Sequence, residues 1–420
     1  MGEDSTSLLQ DLQTIMAVSR ALGSERNLDR LLDRILAACS ELVDAERASL
    51  FLVDADRSEL WTRIAQGDGV GHITLPMGKG IAGTVAATGT AVNIPAAYAD
   101  PRFNPEHDQL TGYVTRSILC MPLTSHTDQV VGVIQVLNKR DGQPFCAYDE
   151  QLLSALCSQA GVALDNAQLI LRDRDRQRME REMELARQIQ LSLLPQSHPQ
   201  VVGWRFASFS QSCDETGGDY YDFLTRSRGS VDLVVGDVSG HGIGSALLMS
   251  SARASLRALH RGTDAPSDLM GGLNRLLTGD MGDDAFMSMI LTRLDDLGGG
   301  SWVSAGHEAP LVLRADGTWA TVPGDGGLLL GLMQDWEYVA NNLPRLHPGD
   351  CLVLMTDGIF EAQRPDRPCL GLEAIAQGMV SAAGQGAEAV CAAVVARVRA
   401  HLDGHAPHDD MTLLVAERTA

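Results

Sequence analysis

The sequence predicts an α+β protein of two domains joined by a long helix, and three observations carry that expectation. Apolar runs of strand length recur over residues 48–137 and again from Trp204 onward. Between them, residues 148–193 keep a helical period. In the second half, apolar runs end at Asp237 and Asp357, and another begins just after Asp409 and Asp410. Carboxylates placed at strand ends come to lie along one edge of a sheet, which is how a chain collects hard oxygen ligands.

Composition narrows the function classes. The 420 residues are 45% hydrophobic and 21% charged, as in globular proteins long enough for more than one core. A formal net charge of −21 argues against nucleic acid or an anionic membrane as the partner. The eight cysteines are scattered with no CxxC pair, the pattern of buried residues or free thiols in a reducing compartment. The acidic start MGEDSTSLLQDLQ lacks the features of a secretory signal, and no apolar stretch approaches the ~20 residues of a membrane span. A cytoplasmic location is expected.

Taken in order, residues 5–43 are helical by period. Leu8, Leu12, Ile15 and Val18 form one apolar stripe, and Leu28, Leu31, Leu32, Ile35 and Leu36 form a second after Gly23 and Ser24, with Asn27 as its cap. Strand runs follow at 48–53, 60–64, 117–123 and 130–137, around a glycine-punctuated middle. Leu153, Cys157, Ala160, Leu164, Ala167 and Leu171 then make a heptad seam. Charged residues interrupt it over 172–178; it resumes through Met179, Met183, Ala186, Gln190 and Leu193 until Pro195 ends it. In the second half a strand is expected near Trp204, helices over 244–261 and 266–278, and strands over 286–293, 301–305 and from Leu311. On the first of those helices Leu247, Leu248, Ala252, Ser255 and Leu259 are expected to face inward.

The words GGDYYDF, GDVSGHG, SAGHEAP, MTDGIFE and DDMTLLV stand in that order across the second half. They resemble the metal-dependent PPM-type protein phosphatases, in particular the bacterial branch of sporulation phosphatases and sigma-factor regulators. That resemblance implies an α-β-β-α sandwich with a metal centre at one edge. It also implies hydrolysis of phosphoserine or phosphothreonine by a water activated between two Mn²⁺ or Mg²⁺ ions ~3.5–4 Å apart. By position, Asp237 is similar to the bridging ligand, with the carbonyl of Val238 on one ion; Asp357 and Asp409 match ligands of the other. Asp219 matches the acidic group beside the first ion, and Asp410 is an alternate to Asp409. His241 and His307 are alternates for protonating the leaving serine oxygen, or else fix their loops by hydrogen bonds.

In the first half, Asn138-Lys139, Phe145, Asp149-Glu150 and the turn Gly78-Lys79-Gly80-Ile81-Ala82-Gly83 resemble a GAF domain of the cyclic-nucleotide phosphodiesterase kind. The resemblance implies an antiparallel six-stranded sheet with helices on both faces and a small-molecule pocket. A cyclic nucleotide between the sheet and residues 81–108 is one candidate ligand, and its identity stays open. Lys139 and Asp149 read most simply as an ion pair tying the sheet to the final helix. His72, His107 and His126 are assigned to no metal. Residues 186–195, ARQIQLSLLP, are similar to the linker ahead of phosphatase domains in stress-response regulators, where this helix is part of the switch.

The expected divisions are a GAF sensor domain with its N-terminal helices over 1–168, a coiled-coil linker over 169–197 and a phosphatase domain over 198–420. Expected partners are a phosphorylated regulatory protein of the anti-sigma-factor antagonist type, a small-molecule ligand, and a second copy of the chain joined through the GAF helices and linker. The rival reading is a ligand-binding regulator whose C-terminal domain docks proteins without catalysis.

Overall fold

A computed structural model of the chain describes residues 15–25, 27–54, 57–64, 74–214, 216–226, 229–282 and 285–419. The predicted helix start at Leu8 and Leu12, and His72, lie outside the described residues. The chain divides into two units, Met1–Arg178 and Met179–Ala420.

In the first unit, α1 covers 15–24. It is followed by α2 (Leu28–Leu42), β1 (Ala45–Asp54), β2 (Glu59–Ile64), β3 (Thr74–Pro76), α3 (Gly80–Thr88), β4 (Val92–Ile94), α4 (Glu106–Thr111), β5 (Ile118–Thr124), β6 (Val130–Lys139) and α5 (Ala147–Leu193), whose residues from Met179 on belong to the second unit. The strands form one antiparallel sheet in the order β3-β2-β1-β6-β5-β4. Side chains alternate across it. Leu50, Leu52, Leu119, Met121, Ile134 and Val136 pack with α2 and the first half of α5, while Phe51, Ile118, Cys120 and Val133 pack with α3. A sheet covered on both faces explains why these strands read as nearly unbroken apolar runs. Asn27 caps α2 as expected, its Oδ1 accepting from Arg30 N at 3.0 Å.

The Lys139–Asp149 pair holds β6 to α5: Nζ lies 2.9 and 3.0 Å from the two carboxylate oxygens, and Asp149 also accepts from Cys146 N at 2.8 Å. Asn138 beside it is a structural hub at φ 49°. Its amide donates to Glu46, Tyr113 and Val114 O and accepts from Arg116 N and Ser117 N, which sets the loop before β5.

Helix α5 runs unbroken for 47 residues through the charged stretch, because Arg and Gln cost a helix little and the poorer helix former Asp173 is paired along the helix with Arg176 at 3.2 Å and Gln177 at 2.9 Å. The predicted seam has an intramolecular explanation in its first half: Leu153, Cys157, Ala160, Leu164 and Ala167 are buried in the first unit's own core.

The second unit continues with β7 (Trp204–Gln211), β8 (Tyr220–Thr225), β9 (Val231–Val238), α6 (Ile243–His260), α7 (Pro266–Asp280), β10 (Met287–Leu294), β11 (Gly300–Ala305), β12 (Leu311–Leu313), β13 (Trp319–Thr321), β14 (Asn341–Leu343), β15 (Cys351–Met355), α8 (Asp357–Phe360), α9 (Leu372–Ser381), α10 (Ala387–Leu402) and β16 (Met411–Arg418). Two five-stranded antiparallel sheets form, in the orders β14-β11-β10-β9-β8 and β13-β12-β15-β16-β7. Leu352, Leu354, Leu414 and Ala416 of one share a core with Val234, Ile290 and Val303 of the other. The opposite faces are covered by α6 and α7, through Met249, Leu256 and Leu273, and by α9 and α10, through Ile375, Met379 and Val394. This is the expected α-β-β-α sandwich.

The inward face of α6 differs from the expectation. Of the predicted stripe, Ala252 is buried and Leu248 and Leu259 are partly buried against the core, whereas Leu247 is 66% exposed; Ser245, Ala246, Met249 and Leu256 are buried as well, so the inward face is centred one residue away from the expectation. Ala- and Ser-rich helices offer several near-equivalent stripes, and the sheet chooses among them. Among the described residues no helix is long and apolar enough to cross a membrane.

Asp232 on β9 is buried and bound by Arg293 Nε and Nη2, at 2.7 and 2.9 Å, and by Arg226 Nε at 2.7 Å. Burial pushes its carboxyl up, but Arg293, His260 (Nε2 at 3.3 Å) and Arg226 together outweigh that and hold it at about 2. Its folded value is depressed, so this contribution to stability is present above the unfolded value of ~4 and is lost as pH falls through about 2. Asp232→Ala leaves buried arginine charge unpaired and is expected to cost ~3–5 kcal/mol in urea unfolding at pH 7. Asp232→Asn should lack the wild type's extra loss of stability between pH 4 and pH 2.

Candidate metal centre and ligand pocket

Strand pairing carries the predicted aspartates to one place. Asp219 lies one residue before the Tyr220–Gly236 pair of β8 and β9, and Asp237 one residue after it. Across the second sheet, Met355 pairs with Leu413, so Asp357 and the Asp409-Asp410 step leave β15 and β16 at the same end. Burial raises Asp237 to about 8, helped by repulsion from Asp357, Asp409 and Asp410. Asp409 is raised by burial and by Asp357 and Asp410; Asp219 is raised strongly by burial and then by Asp237. The carboxylates therefore feel one another across both sheets.

Gathering is not the same as ligation. Among the described residues, no three His, Cys, Asp or Glu side chains stand at coordinating distance from one point. Charge repulsion acts over a longer range than a 2.0–2.6 Å metal bond, so the two observations are compatible. The donor set nevertheless fits a hard divalent cation. Asp219 Oδ1 is buried without a hydrogen-bond partner. A Cβ on Gly218 would come within 2.6 Å of Val238 O and 3.1 Å of Asp237 Oδ1, so only glycine leaves that space open. All the acceptors are oxygens.

Several residues that motif reading left without a role build the surroundings. Thr356 Oγ1 donates to Asp219 Oδ2 at 2.9 Å and accepts from Thr412 N at 2.9 Å. Gln190 of α5 pairs with both backbone groups of Gly217, donating to its carbonyl at 2.5 Å and accepting from its N–H at 3.1 Å. Thr356 and Thr412 stand inside quoted motifs, but a threonine beside an aspartate has no spacing that announces a hydrogen bond. Gln190 occupied a predicted seam position, and its partner is remote in sequence.

Asp410, the alternate to Asp409, is an anchor. Its Oδ1 accepts from Cys213 N at 2.8 Å and its Oδ2 from Gly218 N at 2.6 Å. The histidine candidates separate. His307 is half-buried, with Nδ1 2.8 Å from Ser288 Oγ and Nε2 3.1 Å from Met355 O, and loss of solvent around its ring pulls it down to about 4. Both ring nitrogens are committed to protein partners that brace its loop, which fits the loop-fixing alternative for this residue. His241 is exposed, pairs with Asp214 Oδ2 at 2.7 Å, and its charge opposes the rise at Asp409. Cys391 and Arg397 have the Cys-x5-Arg spacing of cysteine phosphatases. Both lie inside α10, and burial raises the thiol to about 11, so no such loop exists there.

The first unit holds a cavity of about 330 Å³, floored by Phe51, Leu75 and Leu137 and edged by Ser49, Arg102 and Gln135, with the first turn of α3 at Gly80, Ile81 and Ala82. Unpaired N–H groups of a first helical turn attract anionic ligand groups. Arg102 is held by Asp100 through two contacts of 2.6 and 2.9 Å. Of the other first-unit histidines, His126 pairs with Asp165 at 2.9 Å, outside this cavity, and nothing is described of the His107 side chain.

Comparison with known proteins agrees with both halves. A GAF domain model matches residues 27–164, and the model of stage II sporulation protein E (SpoIIE) matches residues 227–419, a span that includes Asp237, Asp357 and Asp409 but not Asp219. A probable 3′,5′-cyclic phosphodiesterase, pde-5, of Caenorhabditis elegans is 39% identical over 155 residues, 34% of this chain and 21% of that one. The dual 3′,5′-cyclic-AMP and -GMP phosphodiesterase 11A of Takifugu rubripes is 38% identical over 165 residues, 36% of this chain and 18% of that one. The chain thus spans about a fifth of the length of these relatives. Among solved structures, the SiaA-PP2C domain of Pseudomonas aeruginosa aligns with a TM-score of 0.50 at 21% identity, covering 59% of this chain and 99% of that domain, a likeness of fold. Two family matches fall on two separately packed units: the chain joins a region that matches the GAF domain to a region that matches SpoIIE, the second with a PP2C-like fold.

Proposed function

We propose that the chain is a sensor-controlled, metal-dependent protein phosphatase that removes phosphate from serine or threonine of a small regulatory protein, of the anti-sigma-factor antagonist type. The observation that carries this reading is the set of carboxylates from separate chain segments crowded at one edge of the paired sheets, with Asp237 lifted to about 8. Asp219, Asp237, Asp357 and Asp409, with the carbonyl of Val238, would hold Mn²⁺ or Mg²⁺, which when bound supplies charge neutralisation and activation of water for attack at phosphorus. Thr356 holds Asp219 in position, and Asp410 holds Gly218 before it. His241, exposed and paired with Asp214, would give a proton to the leaving serine oxygen.

The pocket in the first unit is the proposed sensor site. Its volume is at the lower end of the ~300–1,000 Å³ of small-molecule sites. An apolar floor for a flat base, Gln135 and Ser49 for its polar edge, and the first turn of α3 for a phosphate suit a cyclic nucleotide, the compound class named in the phosphodiesterase relatives. Two copies are proposed to pair along α5, whose Leu169, Ile170, Met179, Leu185 and Ile189 are exposed apolar residues. The reading places the protein in the cytoplasm.

The second reading, a regulator whose C-terminal domain docks proteins without catalysis, is favoured by the lack of ready-made coordinating geometry among the described residues. Calorimetry with Mn²⁺ separates the two, since a docking scaffold should give no heat of metal binding.

With Mn²⁺ present, the purified protein is expected to release phosphate from p-nitrophenyl phosphate and from a phosphoserine protein. Asp237→Ala and Asp357→Ala should each lower kcat at least ~10³-fold, as loss of metal-centred charge stabilisation would. Turnover retained in both variants would sink the site assignment. Saturating cyclic GMP or cyclic AMP should raise the melting temperature, by the equivalent of ~2.7 kcal/mol at a hundredfold excess over Kd. Gln135→Ala should weaken that binding about tenfold, the worth of one hydrogen bond; absence of any shift with either nucleotide counts against the ligand class.

A further inference from the structure

Gln190 lies on α5 three residues before the helix ends, and it is buried with only 8% of its surface exposed. Its amide does what a neighbouring strand would do: Nε2 donates to Gly217 O at 2.5 Å while Oε1 accepts from Gly217 N at 3.1 Å. The next N–H along, that of Gly218, donates to Asp410 Oδ2 at 2.6 Å, and the residue after that is Asp219. Two adjacent glycines have more backbone freedom than any other pair. Without outside ties, the segment that delivers Asp219 would sample many conformations, and the entropy of ordering it would be charged against each binding event.

The ties come from opposite sides. Asp410 grips from the start of β16, and a Cβ on Gly217 would collide with its carboxylate, so the loop is pressed against that anchor. Gln190 grips from the helix. Hydrogen bonds of 2.5 and 3.1 Å tolerate a displacement of well under ~1 Å before they are lost. The position of the Asp219 carboxylate, with its unpartnered buried Oδ1, therefore depends on where α5 presents residue 190. Exposed glutamines of the same helix are used differently: Gln188 pairs with Glu184 along the helix surface at 3.0 Å.

We propose that Gln190 is a positioning residue for the phosphatase centre, holding the Gly217-Gly218 segment so that Asp219 is pre-set toward Asp237 and Val238 O. This inference rests on the phosphatase reading above. It also means that the last turns of α5 are part of the catalytic unit, and that the first half of the same unbroken helix belongs to the GAF core.

The test uses the full chain and the variants Gln190→Met, which keeps the volume and removes both hydrogen bonds, Gln190→Ala, and the surface control Gln188→Ala. Two readouts are taken. In the metal-free protein, amide exchange of the peptide spanning 213–220 should quicken at least tenfold in both Gln190 variants, with β9 and α6 unchanged. With p-nitrophenyl phosphate, the Mn²⁺ concentration for half-maximal rate should rise about tenfold while kcat at saturating Mn²⁺ stays within twofold. Gln188→Ala should match wild type in both. Wild-type exchange and Mn²⁺ dependence in Gln190→Met would overturn the proposal, as would loss of the fold in both Gln190 variants, which would make the pair a general structural element. If the wild-type chain itself neither binds Mn²⁺ nor turns over substrate, the phosphatase reading fails instead, and the exchange data still decide whether Gln190 orders the loop.

Discussion

Asp237 stands among Asp357, Asp409 and Asp410 at one edge of two packed sheets, and burial together with their repulsion holds its carboxyl near 8. Like charges brought this close are costly, and a chain free to relax would separate them. The second unit does not permit that. Asp237 is the next-to-last residue of β9, which is paired on both sides along its length, and Asp409 and Asp410 immediately precede β16, which is held between β15 and β7. Strand pairing and the shared core between the sheets supply the free energy that keeps the carboxylates together.

Around this cluster, buried polar groups are used to set backbone. Thr356 links Asp219 to Thr412 N, Asp410 captures the N–H groups of Cys213 and Gly218, and His307 joins Ser288 to the end of β15. Each of these satisfies groups that would be expensive to leave unpaired in the interior. The placement of the acidic groups thus depends on neighbouring polar side chains as much as on the strands that carry them.

The first unit solves a different problem. Its sheet is covered on both faces, yet beside α3 and α4 the packing leaves a cavity edged by polar groups. Asn138 and the Lys139–Asp149 pair, the residues most reminiscent of a GAF signature, hold the scaffold and lie outside the cavity lining. A signature can mark the frame that makes a pocket without touching what fills it.

Much of the architecture was legible in the sequence because it rests on local patterns. Runs of apolar residues placed β1, β5, β6, β9, β15 and β16, Asn27 announced its cap, and aspartates at the limits of apolar runs marked the strand ends where acidic groups collect. The heptad spacing along α5 was equally plain, but whether a seam faces another chain or its own sheet depends on what surrounds it, and Leu153 to Ala167 turn inward. The exposure of Leu247 on α6, the anchoring role of Asp410, the two partners of the His307 ring and the hold of Gln190 on Gly217 were decided by tertiary structure alone. Sequence by itself determined which segments are strands and helices and which residues bear carboxylates, since both follow from short-range chemistry. The partner each polar group finds, and hence its charge and task, is a matter of distance between residues far apart in the chain, which only folding sets.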